Sequence, residues 1–197
     1  MSLRTDLTAA NRERVLRAAT ASFLARGYGS SVDYIAQRAG VAKQTVYHHF
    51  PSKDQLFKEV ARELVKGVLV ELEGEPADLR AALVRFALVY RKRVLGPQGL
   101  AAFRTLVPEV ARFRAQARTM YANTAGETVR RLAAHLARAM DAGVLRREDP
   151  EFAAELLLGM LVGQERIKRL FGGPAQSEAE PRRAARVVDC FLRALSP

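Results

Sequence analysis

Residues 32–50 read VDYIAQRAGVAKQTVYHHF, and the spacing of their apolar residues decides the fold. Val32, Ile35, Ala36 and Ala39 recur at i, i+3, i+4 and i+7, the period of one buried helical face, and Ser30 or Ser31 can cap the start of that helix. Gly40 stops it. A glycine there permits the tight turn Ala39-Gly40-Val41, after which a second short helix is predicted over about Lys43 to Phe50, ended by Pro51. Two short helices joined by such a turn form a helix-turn-helix, with Val41, Val46 and Phe50 facing inward. Lys43, Gln44, Tyr47 and His48 then share one polar face able to enter a major groove. Lys and Gln hydrogen-bond guanine or adenine edges, whereas Thr, Tyr and His near helix ends more often hold phosphates.

On either side of this stretch the helical period continues. A first helix, roughly Thr8 to Arg26, carries the stripe Val15, Leu16, Ala19, Phe23 and Leu24 and ends at Gly27-Tyr28-Gly29. Ser52 caps a long fourth helix with Phe57, Val60, Leu64, Val68 and Leu72 on its buried face. Beyond a break at Gly74-Glu75-Pro76, helices are predicted near Ala77 to Leu95, Leu100 to Val107, Phe113 to Met140, Pro150 to Phe171 and Pro181 to Leu195. Gly96-Pro97, Gly143 and Gly172-Gly173-Pro174 separate most of them. No strand-like alternation, repeat or low-complexity tract interrupts the pattern. The expected fold is all-α, with a three-helix DNA-binding bundle over residues 1–58 and a larger helical domain over residues 59–197.

The chain has 197 residues, 49 % of them hydrophobic, enough to fill a core without disulfides or metals. Cys190 is the sole cysteine and cannot form an internal bridge. No apolar run approaches the ~18 residues of a membrane span, and residues 1–20 are too polar for a signal-peptide core, so a cytosolic location and no membrane partner are expected. A net charge of +11 seeks polyanions, either nucleic acid or anionic membrane. The first 58 residues carry 9 Lys and Arg against 4 Asp and Glu, so the excess is not confined to the helix-turn-helix. Much of the Arg, the Arg166, Lys168, Arg169 group included, is read as solvated helix surface.

Other chemistries find little support. His48, His49 and His135 have no Cys or carboxylate cluster at ligand spacing, so neither a metal nor a cofactor is expected. Gly27-x-Gly29 follows a helix and lacks a third glycine, against a dinucleotide fingerprint. No nucleophile–base pair or phosphate loop marks an enzyme.

Ile35-Ala36, Ala39-Gly40-Val41, Thr45, Tyr47, Phe50, Ser52-Lys53 and Leu56 fall where the TetR family of bacterial regulators has its DNA-binding signature, and residues 8–58 resemble that family. The resemblance implies that Lys43 and Gln44 face bases, while Ser31, Thr45, Tyr47, His48 and Lys53 approach the phosphate backbone. It also implies a repressor that leaves a palindromic operator when a small molecule binds. One departure is Ala42, where the family commonly has a serine. Phe103-Arg104, Glu109, Arg112-Phe113, Gly143, Asp149-Pro150 and Ala153-Ala154 resemble the family's ligand-binding and dimerisation domain, although Pro108 and Arg114 depart from its pattern near the sixth helix.

Residues 156–163 (LLLGMLVG) are apolar on every side of a helix, which is either an internal core helix or one that meets its own copy in a partner. With the family resemblance, a homodimer interface including Gly159, Gly163, Val188 and Leu192 is expected. Phe86, Tyr90, Phe103, Phe113, Met120, Tyr121 and Met160 are either ordinary core residues or, together with Gln164, the lining of a cavity for a small apolar or aromatic effector. Tyr90, Tyr121, Asn123 and Gln164 would be its polar anchors.

Overall fold

Ser31 starts helix α2 (Val32–Ala39) by accepting a hydrogen bond on Oγ from the Tyr34 N–H at 3.1 Å, and Gly40 ends it in the left-handed region at φ +64°. A side chain at Gly40 would be strained there, and its Cβ would lie 2.6 Å from Nη2 of Arg14. That guanidinium donates to the Gly40 carbonyl at 3.1 Å and braces the turn against helix α1 (Ser2–Arg26). Ser30, the other candidate cap, is buried and donates to the Ser22 carbonyl.

The computed structural model describes residues 2–72, 78–174 and 180–197. The expected break at Gly74-Glu75-Pro76 and the helix start at Ala77 lie outside them. After α2 come α3 (Lys43–His49), α4 (Lys53–Leu69) with a 3-10 turn at Val70–Leu72, α5 (Leu79–Leu95), α6 (Pro97–Leu106), α7 (Arg114–Asn123), α8 (Ala125–Asp141), α9 (Pro150–Leu170) and α10 (Glu180–Ala194). No strand occurs among the described residues.

The single helix expected over Phe113 to Met140 is two. Thr124, at φ −123° and ψ −92°, breaks it into α7 and α8. Short polar side chains there bond back to the backbone, Asn123 Nδ2 to the Thr119 carbonyl at 2.8 Å and Thr128 Oγ1 to the Thr124 carbonyl at 3.0 Å.

The chain packs as two units, one of residues 1–64 with 101–123 and one of residues 65–100 with 124–197. The core of the first joins Val15, Ala19 and Phe23 of α1 to Ile35 of α2, Val46 of α3, and Leu56, Phe57 and Val60 of α4, with Tyr28 and Met120 against its edge. Deleting Phe23 to Ala would cost about 3–5 kcal/mol, the usual range for a buried ring.

In the second unit, α5, α8, α9 and α10 bury Leu83, Phe86, Leu132, Leu136, Leu157, Leu161, Val188 and Phe191. Asp149 caps α9, accepting from the Glu151 N–H at 2.9 Å, and Pro150 occupies the first turn, where its missing N–H costs nothing.

Arg169, expected on the solvated surface, is not there, and Arg91 is buried as well. Arg91 is 1 % exposed, with Nη2 2.6 Å from Glu165 and Nε 2.8 Å from Glu180, and it also donates to the Leu161 carbonyl. Arg169, largely buried, pairs with Glu165. Burial alone would raise the Glu165 pKa, but hydrogen bonds from Arg91 and Arg169 outweigh it and hold the carboxyl below its ordinary range. Arg91 thus bonds α9 two residues before Gly163, whose non-helical backbone kinks that helix.

Candidate nucleic-acid interface

Val46 is 1 % exposed and fixes α3 on the first core, leaving Lys43, Gln44, Tyr47 and His48 exposed together and Thr45 half-buried. Ala42 stands at the N-cap of α3 in extended conformation with no side-chain cap. Ser31 is exposed at the start of α2, and Lys53 is half-buried in the first turn of α4. The DNA-facing candidates therefore come from α3 and from two helix N-termini.

Lys43 is not alone on its face. Its Nζ lies 3.0 Å from Asp33 Oδ2 across the turn, and that hydrogen bond raises the lysine pKa. The sequence alone does not single out Asp33, because a contact between residues ten apart in different helices leaves no periodic trace.

Lys53 is held differently. Its ammonium sits 4.3 Å from the Tyr28 ring centroid, and partial burial lowers its pKa. The Tyr28 hydroxyl donates to Asp54 Oδ1 at 2.5 Å, and Gln116 Nε2 donates to the same oxygen at 3.2 Å. Burial, then the bond to Asp54, pushes the Tyr28 hydroxyl up to about 12, so it stays a donor at every working pH. Tyr28 also meets Phe57 and Phe113 edge-on, each at 5.1 Å.

Arg14, Arg17 and Arg38 line an open groove of about 450 Å³ between α1 and α2, floored by Ala18, Ala21, Ala39 and Gly40. Arg38 and Arg26 flank the Tyr34 ring, Arg26 at 4.1 Å. This adds basic surface beside the turn.

The remaining sequence candidates spread over both units. Phe86 is fully buried and stacks on Tyr90 at 5.6 Å. Phe113 and Met120 pack within the first unit, where Phe103 and Tyr121 are exposed. Met160 and Gln164 lie on the exposed side of α9, so the eight candidates do not gather within either unit. Gly159 and Gly163 are exposed with open space about them. Val188, however, is 0 % exposed in its own chain's core, and Leu192 is half-buried against that core. The apolar stripe of α10 is consumed within one chain, so Val188 has no surface to offer a partner. The exposed apolar stripe is instead Phe152, Leu156, Met160 and Ile167 on α9.

Two family profiles match. Residues 15–60 fit the bacterial regulatory proteins of the tetR family, and residues 81–197 fit the C-terminal domain of AefR-like transcriptional repressors. The chain belongs to the TetR family. Its members are DNA-binding transcription regulators and not enzymes. The structure of a flavonoid-responsive regulator, FrrA, is 32 % identical, with 95 % of this chain and 97 % of that one covered at a TM-score of 0.74. A putative TetR-family regulator from Mesorhizobium loti is 26 % identical, covering 96 % and 98 % at a TM-score of 0.75. Among curated proteins, the transcriptional activator FasR of Mycolicibacterium smegmatis is 40 % identical over 83 residues, 38 % of each chain. The repressor KstR2 of the same species is 38 % identical over 58 residues, 29 % of this chain and 28 % of that protein. The match thus spans well under half the length of these curated relatives.

For a TetR-family regulator the arrangement has a plain chemical sense. Exposed amide, ammonium, imidazole and phenol groups on α3 can donate to base edges and phosphates, and the helix that carries them is fixed by Val46 and Phe50. No helix among the described residues is long and apolar enough to cross a membrane.

Proposed function

We propose that this TetR-family regulator represses transcription as a homodimer on a palindromic operator and that a small apolar or aromatic molecule releases it. The observation that carries the DNA reading is α3 itself, seven residues with Val46 buried and Lys43, Gln44, Tyr47 and His48 turned to solvent. Lys43 and Gln44 read bases; Ser31, Thr45, Tyr47, His48 and Lys53 hold phosphates. Repression as the sign draws support from the AefR-like repressor profile over residues 81–197.

Dimerisation is supported by the exposed α9 stripe of Phe152, Leu156, Met160 and Ile167, interleaved with Gly159 and Gly163. Such a stripe paired about a two-fold removes apolar surface from water on both copies. Residues 1–58 serve DNA and residues 59–197 serve the effector and the dimer. The flavonoid response of FrrA, 32 % identical across nearly both whole chains, favours a planar aromatic effector. That effector acts by binding better to a dimer whose recognition helices no longer match successive major grooves.

The test is selection of bound fragments from the host genome, footprinting, and titration of the complexes with flavonoids and other polyaromatics. A two-fold footprint, release by aromatic compounds and a rise of the adjacent transcript on gene deletion are expected. Release by sugar-like or strongly anionic compounds only would overturn the effector class. A fall of the transcript on deletion would make the protein an activator.

A further inference from the structure

Among the basic residues of the N-terminal unit, Lys53 is held by an aromatic face and Lys43 by a carboxylate. The difference matters to a phosphate. A carboxylate occupies N–H donors and offsets the charge, whereas a ring face attracts the ammonium and leaves its N–H groups to hydrogen-bond outward. Lys53 can therefore meet an oxyanion without first breaking an ion pair.

The ring that supports it is itself held from a distant part of the chain. Asp54, beside Lys53, would repel a phosphate and draw the ammonium sideways if its carboxylate swung free. One of its oxygens is instead tied by two donors, the Tyr28 hydroxyl at 2.5 Å and the Gln116 amide at 3.2 Å. Those bonds, led by the one from Tyr28, keep the Asp54 pKa below its ordinary value and the group ionised. Phe113, one turn before Gln116 in sequence, packs edge-on to the same Tyr28 ring. Both residues belong to the 101–123 segment, which the chain reaches only after leaving the N-terminal unit at Leu64.

We propose that Gln116 and Phe113 are positioning residues for DNA binding, which fix Tyr28 and Asp54 so that the Lys53 ammonium is presented to the phosphate backbone. The proposal rests on the reading that Lys53 touches a phosphate, and the test separates the two.

The full-length protein is titrated with a short random-sequence duplex at several salt concentrations, since phosphate binding acts on every sequence. Lys53→Ala examines the underlying reading; it should lower the salt slope by about 0.9 for each phosphate that is no longer neutralised. Gln116→Leu and Tyr28→Phe should weaken binding roughly 3–10-fold, the usual worth of a hydrogen bond, with a shallower salt slope. In the Lys53→Ala background neither should weaken it further. Tyr28→Phe keeps the ring and its packing, so it remains informative if Gln116→Leu folds poorly, and melting curves report any loss of fold. An unchanged slope for Lys53→Ala removes the phosphate role and the proposal with it. A normal effect of Lys53→Ala, with Gln116→Leu and Tyr28→Phe either silent or equally harmful in both backgrounds, overturns the positioning role alone.

Discussion

Helices α3 and α9 each bury one side and leave the other bare, but the bare sides are opposite in kind. On α3 the exposed residues are Lys43, Gln44, Tyr47 and His48 over a buried Val46; on α9 they are Phe152, Leu156, Met160 and Ile167 over buried Leu157 and Leu161. Water solvates the first set well and the second poorly. On the proposed reading the contrast suits them to different partners, a polyanion for α3 and a second copy of the chain for α9. Their supports differ too. A short helix of seven residues has almost no stability of its own and depends on Val46 and Phe50, whereas α9 is anchored by a long apolar face and by the Arg91–Glu165 pair.

The contrast can be broken most severely at α9. A Cβ at Gly159 would meet nothing within 4 Å beyond its own helix backbone, so Gly159→Arg should fold normally yet bring two like charges together across the two-fold. Monomers and loss of operator binding are expected by sedimentation and anisotropy; an intact dimer would place the interface elsewhere. Arg91→Ala attacks the support rather than the face. It takes from the buried Glu165 carboxylate one of its two guanidinium partners while Arg169 stays, and a loss of up to about 3–5 kcal/mol in unfolding free energy is expected by denaturant titration.

The changes at α3 should be smaller and should touch DNA alone. Gln44→Ala should relax the binding-site preference by about 1–3 kcal/mol of base discrimination while leaving random-duplex affinity nearly unchanged. A selected-site logo that does not change would remove Gln44 from base reading. Ala42→Ser restores a cap that α3 lacks, worth about 0.5–2 kcal/mol of helix stability, and should tighten operator and random duplex together. Tightening of the operator alone would contradict a backbone role for this position.

The smallest effect concerns acid. His135 is buried in the second core, and burial, then the adjacent Arg138, holds its pKa below the ordinary 6.5. The unfolded chain therefore binds the proton more readily. Stability contributed by neutral His135 is complete above about pH 6.5 and declines as pH falls towards the folded-state value. His135→Leu should flatten that decline in melting temperature, leaving the part due to carboxylates; an unaltered slope would show that His135 titrates alike in both states.

The two helices also differ in how far their sequences can be read. α2 and the start of α3 are legible to within about a residue, because a serine, Ser30 or Ser31, and Gly40 punctuate α2 chemically and four apolar residues at helical spacing fill the span between. Periodicity reports that a face is apolar and is silent on what covers it. Period together with the family resemblance therefore gives Val188 to a partner, although the neighbouring helices of its own chain bury it. The division at Thr124 escapes because the nearby Gly126 falls inside the next helix rather than at the break, which is marked by polar side chains that bond to their own backbone. Arg91 escapes for a related reason: a charge reads as surface until its partners, 74 and 89 residues away, are known. The Tyr28, Asp54 and Gln116 hydrogen bonds, spanning 26 and 62 residues, are of the same long-range kind.

The placement of the tyrosines gives the protein a built-in optical reporter. It has five tyrosines and no tryptophan, and Tyr28, Tyr34, Tyr47 and Tyr121 all belong to the unit that carries α3, with only Tyr90 in the other. Intrinsic ultraviolet emission therefore describes the DNA-binding unit almost alone, with no indole to mask it. A phenol hydrogen-bonded to a carboxylate can pass it the proton in the excited state, so Tyr28 is expected to emit weakly while it donates to Asp54. Loosening of that hydrogen bond would register as a rise in tyrosine fluorescence, visible in unlabelled protein before any DNA is added.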